Sequence, residues 1–97
     1  SAALGDATGL LYTGIAYYEG YGVKCDYKEA VKRYDRAAQL GSAEALFRLG
    51  ECYFYGRGTE KDKDKARELW RKAAEYESEE AIEALDRLFG EQFVPED

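Results

Sequence analysis

Apolar and small residues recur along this chain at helical spacing, in two matching sets. Ala7, Leu10, Gly14 and Tyr17 fall at i, i+3, i+7 and i+10, one face of an α-helix. Ala43, Leu46, Gly50 and Tyr53 repeat that stripe 36 positions later. Further on, Ala30, Tyr34, Ala37 and Ala38 are answered by Ala66, Trp70, Ala73 and Ala74. Gly5/Gly41, Gly20/Gly56, Gly22/Gly58 and Asp26/Asp62 bring the identities between residues 5–40 and 41–76 to eleven. A fixed period of this length predicts stacked helix pairs, each unable to bury its apolar face alone.

The polar positions punctuate these stripes. Each first helix stops at two glycines, Gly20-Tyr21-Gly22 and Gly56-Arg57-Gly58, which can take the positive φ of a helix C-cap and turn. Asp26 is placed as an N-cap, and Glu29 three residues on completes a capping-box pattern; after Asp62 the corresponding residue is Lys65, so that box is half built. Gly41 breaks the second helix, and Ser42 with Glu44 starts the next. The pattern predicts helices over about 6–19, 27–39, 42–55, 63–76 and 78–90. In the fifth, Ala81, Ile82, Leu85 and Phe89 continue the apolar stripe while Glu79, Glu80, Glu83 and Asp86 cover the rest, as a capping element requires. The expected organisation is one repeat domain, 1–97, with repeats at 5–40 and 41–76, a partial third at 77–90 and a tail, 91–97, that holds Pro95. The first helix carries Leu4, Leu10 and Leu11 with no upstream cap, so either a preceding repeat or some other packing partner is expected there.

Charge narrows the function. Asp and Glu number 20 against 14 Lys and Arg, a net charge of −6. Nucleic acid needs a clustered basic surface, and an anionic membrane attracts basic segments, so neither is an expected partner. No apolar run approaches the ~18–20 residues of a membrane-spanning helix. The chain has no His, Asn or Met. It therefore lacks the commonest general base and metal ligand and any N-glycosylation sequon, and Ser1 is not an initiator.

No constellation points to catalysis. Glu77, Glu79 and Glu80 read as helix N-terminal charge, and Asp62-Lys63-Asp64 lacks the glycine and distal glutamate of a calcium loop. The Gly-x-Gly pairs follow helices rather than strands, so they are turns and not phosphate cradles. Tyr12, Tyr17, Tyr18 and Tyr21 have no basic interleaving for stacking on bases. Neither an enzyme activity nor a metal or cofactor is expected.

The pattern Ala43-x-x-Leu46-x-x-Leu49-Gly50-x-x-Tyr53-x-x-Gly56-x-Gly58-x-x-x-Asp62-x-x-x-Ala66-x-x-x-Trp70-x-x-Ala73-Ala74 resembles the Sel-1-like repeat, a relative of the tetratricopeptide repeat. The first unit matches with Tyr34 for Trp and Thr13 for Leu. The resemblance implies an all-α, right-handed α-solenoid that serves as an adaptor binding other proteins. Some secreted bacterial members carry a pair of cysteines within one repeat. Here Cys25 and Cys52 stand in different repeats, so free thiols are expected, with Cys52 as core packing where the first unit has Ala16. That expectation favours the cytoplasm over a periplasmic or secreted setting.

The two units disagree on the other face of their first helices, at Leu11/Phe47, Tyr12/Arg48, Ile15/Glu51, Tyr18/Phe54 and Glu19/Tyr55. By analogy with tetratricopeptide repeats this face lines a concave groove, to which the fifth helix adds Glu83 and Arg87. Aromatics and Arg dominate binding hot spots. The candidate partner-binding residues are Tyr12, Tyr18, Phe47, Arg48, Glu51, Phe54, Tyr55, Glu83 and Arg87, with Tyr12, Arg48, Phe54 and Tyr55 as anchors. The competing reading is that several of them, Phe47 and Tyr18 first, pack against neighbouring helices. A protein or peptide is the expected partner; the alternative is a structural segment of a longer array, or a domain that self-associates through its N-terminal helix.

Overall fold

The computed structural model describes residues 2–90, with side chains from Asp6 onward. Five helices follow one another: α1 (Ala2–Glu19), α2 (Tyr27–Gln39), α3 (Ala43–Tyr55), α4 (Lys63–Glu75) and α5 (Glu79–Phe89). No strand occurs among the described residues. α1 begins at Ala2 rather than residue 6: Ala2, Ala3 and Leu4 are strong helix formers and the helix runs on through Gly5. The tail 91–97 and the side chain of Leu4 lie outside the described residues.

The caps differ from the sequence expectation in one respect. Asp26 accepts from the amides of Lys28 and Glu29, and Asp62 accepts from Lys65. The capping box at Asp26 does not form. Its amide already donates to the Tyr17 carbonyl at 2.8 Å, and the Glu29 carboxylate turns instead to Lys32 and Arg33 at 3.5 and 3.6 Å. The Asp62 amide likewise donates to Tyr53 at 2.8 Å, so Lys65 sacrifices no bond by replacing a glutamate. Ser42 and Ser78 cap α3 and α5 by accepting from Ala45 and Ala81.

Small residues admit large ones at the centre of each pair. A Cβ on Gly14 would lie 2.7 Å from the Tyr34 ring, and one on Gly50 would lie 2.5 Å from Trp70 Nε1. Those glycines let α1 approach α2, and α3 approach α4, with a buried aromatic seated between them. Trp70 also donates from Nε1 to the Phe47 carbonyl at 3.0 Å.

The core forms two clusters. One joins Ala7 and Leu11 of α1 to Ala30, Tyr34 and Ala37 of α2 and to Ala45, Leu49 and Cys52 of α3. The other joins Leu46 to Trp70, Ala73 and Ala74 of α4 and to Ala81, Ala84 and Leu85 of α5. Ala38 and Leu69 pack against both, so the stack is continuous. Leu11, expected on the open side of α1, is buried in the first cluster among residues of α2 and α3.

Candidate binding face

Helices α1, α3 and α5 carry equivalent stripes and meet through side chains, Leu11 sharing a core cluster with Leu49 and Cys52 and Phe54 packing on Phe89. On α3 the stripe Glu44, Arg48, Glu51, Tyr55 follows i, i+4, i+7, i+11 spacing. The equivalent stripe on α1 is Thr8, Tyr12, Ile15, Glu19, and on α5 it is Glu80, Ala84, Arg87. Arg57, in the turn after α3, reaches the Tyr18 hydroxyl of α1, and Phe54 of α3 meets Phe89 of α5 at 5.9 Å between centroids.

The structure divides the sequence candidates into two groups. Tyr12 and Tyr55 are 65% and 49% exposed; Arg48 and Glu51 share the α3 stripe with Tyr55, and Arg87 lies on the α5 stripe. Phe47, Phe54 and Tyr18 are half-buried and turn inward. Phe47 stacks on Trp70 at 6.2 Å between centroids; Phe54 sits 5.4 Å from Trp70 and 5.9 Å from Phe89; Tyr18 lies 5.0 Å from Tyr27 and 6.4 Å from Tyr34. Glu83 lies beside this face, on the flank of α5 equivalent to Phe47, exposed and 3.9 Å from Arg87.

The polar groups of the face are unequally served. Burial is the largest influence on Arg48 and works against its charge, but the 3.2 Å hydrogen bond to Glu44, the Glu44 charge and the nearby Tyr34 hydroxyl together exceed it, and the guanidinium pKa ends above its usual value. Burial raises the Glu51 pKa, against the opposing pull of Arg48. Glu51 makes no hydrogen bond or ion pair among the described residues. The Tyr34 hydroxyl, on a side chain 1% exposed, lies near the Arg48 guanidinium yet makes no hydrogen bond of acceptable geometry.

Sequence reasoning missed Arg57. It stands in the turn after α3, where the first unit has Tyr21, and donates to the Tyr18 hydroxyl. Its guanidinium lies 4.9 Å from the Tyr55 ring centroid and 5.8 Å from that of Tyr18, so it clamps the second turn to the first repeat. The available signal was the Tyr21/Arg57 difference inside an otherwise repeated glycine turn. It also missed Glu44, whose i, i+4 spacing to Arg48 is readable in the sequence.

Both cysteines are free. Cys25 is exposed, its Sγ donating to the Tyr18 carbonyl at 3.2 Å; Cys52 is buried, and burial, followed by the charge of Glu51, pushes its thiol up to about 12. Neither the charge pairs nor these thiols assemble a nucleophile with a base, and no group of His, Cys, Asp and Glu among the described residues could hold a metal ion. No helix of the described residues is long and apolar enough to cross a membrane.

At the outer edge of the first pair, Asp6, Gly9, Leu10 and Thr13 of α1 and Arg36 and Leu40 of α2 line an open cleft of about 580 Å³. The equivalents of Gly9, Leu10 and Thr13 on α3 are Ala45, Leu46 and Leu49, all buried.

Stacked helix pairs of fixed period, followed by a single further helix, define an all-α repeat solenoid. The Sel1 repeat model matches residues 7–42 and 43–75, and the chain belongs to the Sel1 repeat family. Repeats of this family generally mediate protein interactions. Among solved structures, the chain is similar to a Sel1 repeat protein from Oxalobacter formigenes (32% identity, TM-score 0.83, covering 86% of this chain and 34% of that one). It is similar to a protective antigen of uropathogenic Escherichia coli strains displaying an SLR fold (33% identity, TM-score 0.83, covering 87% and 18%). It also resembles cysteine rich protein B of Helicobacter pylori (29% identity, TM-score 0.77, covering 81% and 59%). The chain thus spans about a third of the Oxalobacter chain and under a fifth of the Escherichia chain. No curated protein matches it.

Proposed function

We propose that this chain is an adaptor that binds a segment of another protein across the concave face formed by α1, α3 and α5. The observation that carries this reading is the pair of exposed rings, Tyr12 and Tyr55, on neighbouring stripes of that face. Neither ring is needed for the repeat, since the equivalent positions hold Arg48 and Glu19. Tyr supplies a large apolar contact at small entropic cost, which suits it to an anchor. Phe54, Phe47 and Tyr18 support the face from beneath, and Glu83 and Arg87 contribute to its polar rim. The test is a photo-crosslinking residue at position 12 or 55, with Tyr76, exposed at the end of α4, as the control position. One protein captured from both 12 and 55 but not from 76 is the expected result. Capture from 76 alone would move the surface elsewhere.

The open cleft of α1 and α2 favours a second reading, in which a helix from another repeat or another copy seats there. Gly9 and Thr13 replace Ala45 and Leu49 and shrink the apolar area, which weakens that association. Sedimentation at high concentration separates the two: a monomer removes self-association.

A further inference from the structure

Glu51 stands at the middle of the middle stripe of the shared face. Three guanidiniums come near enough to affect it, yet each is engaged elsewhere. Arg48 bonds to Glu44 at 3.2 Å, Arg57 is held by Tyr18 and Tyr55, and Arg87 faces Glu83 at 3.9 Å. A half-buried carboxylate has lost part of its hydration and here receives no internal donor, an arrangement that costs folding free energy. The Tyr34 hydroxyl is buried and makes no hydrogen bond, whereas the half-buried Glu51 carboxylate keeps access to solvent and so to a partner. The face as a whole is acidic, with Glu19, Glu44, Glu51 and Glu80 in its stripes against Arg48 and Arg87. Rings flank Glu51 on its own helix, at Phe47, Phe54 and Tyr55.

We infer that Glu51 is the charged receptor of this face, and that its partner is a protein segment placing a lysine or arginine side chain on Glu51. Apolar residues on either side of that cation would cover Tyr12 and Tyr55. The ammonium or guanidinium supplies the donor that the fold withholds. A partner carboxylate at the same point would meet Glu51, Glu44 and Glu80. The inference rests on the reading that the shared face is the binding surface.

The probe is a displayed library of random peptides, selected against the intact chain. Selected peptides are then synthesised and titrated against wild type, Glu51→Gln, the Tyr12→Ala/Tyr55→Ala double variant and Glu75→Gln, an exposed change on α4. The expected peptides carry Lys or Arg between apolar residues. Glu51→Gln should weaken them about tenfold or more, and replacing the peptide's basic residue should weaken wild type equally but cost nothing further in Glu51→Gln. Glu75→Gln should bind as wild type does. Circular dichroism verifies that each variant is folded, and the glutamine is close in shape to the glutamate it replaces. Peptides without a basic residue, or equal binding by wild type and Glu51→Gln, overturn the inference. If the tyrosine variant alone loses affinity, the face stands and Glu51 is not its receptor. If neither variant loses affinity, or the library yields no binder, the face reading falls with it.

Discussion

Glu51 occupies a position where the first repeat has Ile15 and where an apolar side chain would pack without cost. Its pKa is raised in the folded state, chiefly by burial. The folded protein therefore holds a proton on Glu51 at pH values where the unfolded chain has released it. The contribution to stability is present at low pH and is lost as pH rises through the window between the unfolded and the raised folded value. Above that window the ionised carboxylate is a constant liability. Glu51→Gln removes the titration, so its thermal midpoint should gain on wild type as pH rises from about 4 to about 7. Equal pH dependence in the two proteins would show that the carboxylate is well hydrated. A residue that lowers stability in the free protein while facing the shared surface fits a binding role better than a structural one.

Among the elements, the helices are legible because their stripes repeat: Gly14, Gly20, Gly22, Asp26, Ala30, Ala37 and Ala38 all recur at one register 36 residues later. Cap chemistry is less legible, as Glu29 illustrates. The spacing to Asp26 is right, but the amide it would serve is taken by Tyr17, a tertiary fact of the turn. The junctions after α2 and α4 show how one repeat departs from the other. Gly41 takes φ 96° after α2, whereas the equivalent Glu77 takes φ 66°, where a side chain is strained. Glu77→Gly should therefore stabilise the protein by up to about 1 kcal/mol, a rise of roughly 4–8 °C in Tm. No rise would mean that the Glu77 side chain makes compensating contacts. The candidate site was legible only in part for a related reason. Aromatic residues are at once core material and hot-spot material, and the sequence does not say which neighbours will cover them. Tyr55 stays exposed while Phe54, one residue earlier, is pinned between Trp70 and Phe89.

At the scale of the whole molecule, α3 belongs to both core clusters: Ala45, Leu49 and Cys52 point into the first, and Leu46 into the second. In a repeat stack, stability is the sum of units and interfaces, so a helix shared in this way couples the two pairs. Gly50 is the most sensitive point on it, because Trp70 occupies the space a Cβ would need. Gly50→Ala must push Trp70 outward or part α3 from α4. Trp70 is buried, and its indole bond to the Phe47 carbonyl would be strained as well. Overpacking of this kind typically costs about 1–3 kcal/mol. Trp70 is the sole tryptophan, so its fluorescence reports the second pair, while far-UV circular dichroism reports all five helices. In wild type the two signals should melt together. In Gly50→Ala both midpoints should fall by a similar amount and still coincide, since α3 carries the damage into the first cluster through Leu49 and Cys52. Fluorescence melting well ahead of circular dichroism would show instead that the first pair stands without the second, and that Ala38 and Leu69 bridge the clusters only weakly.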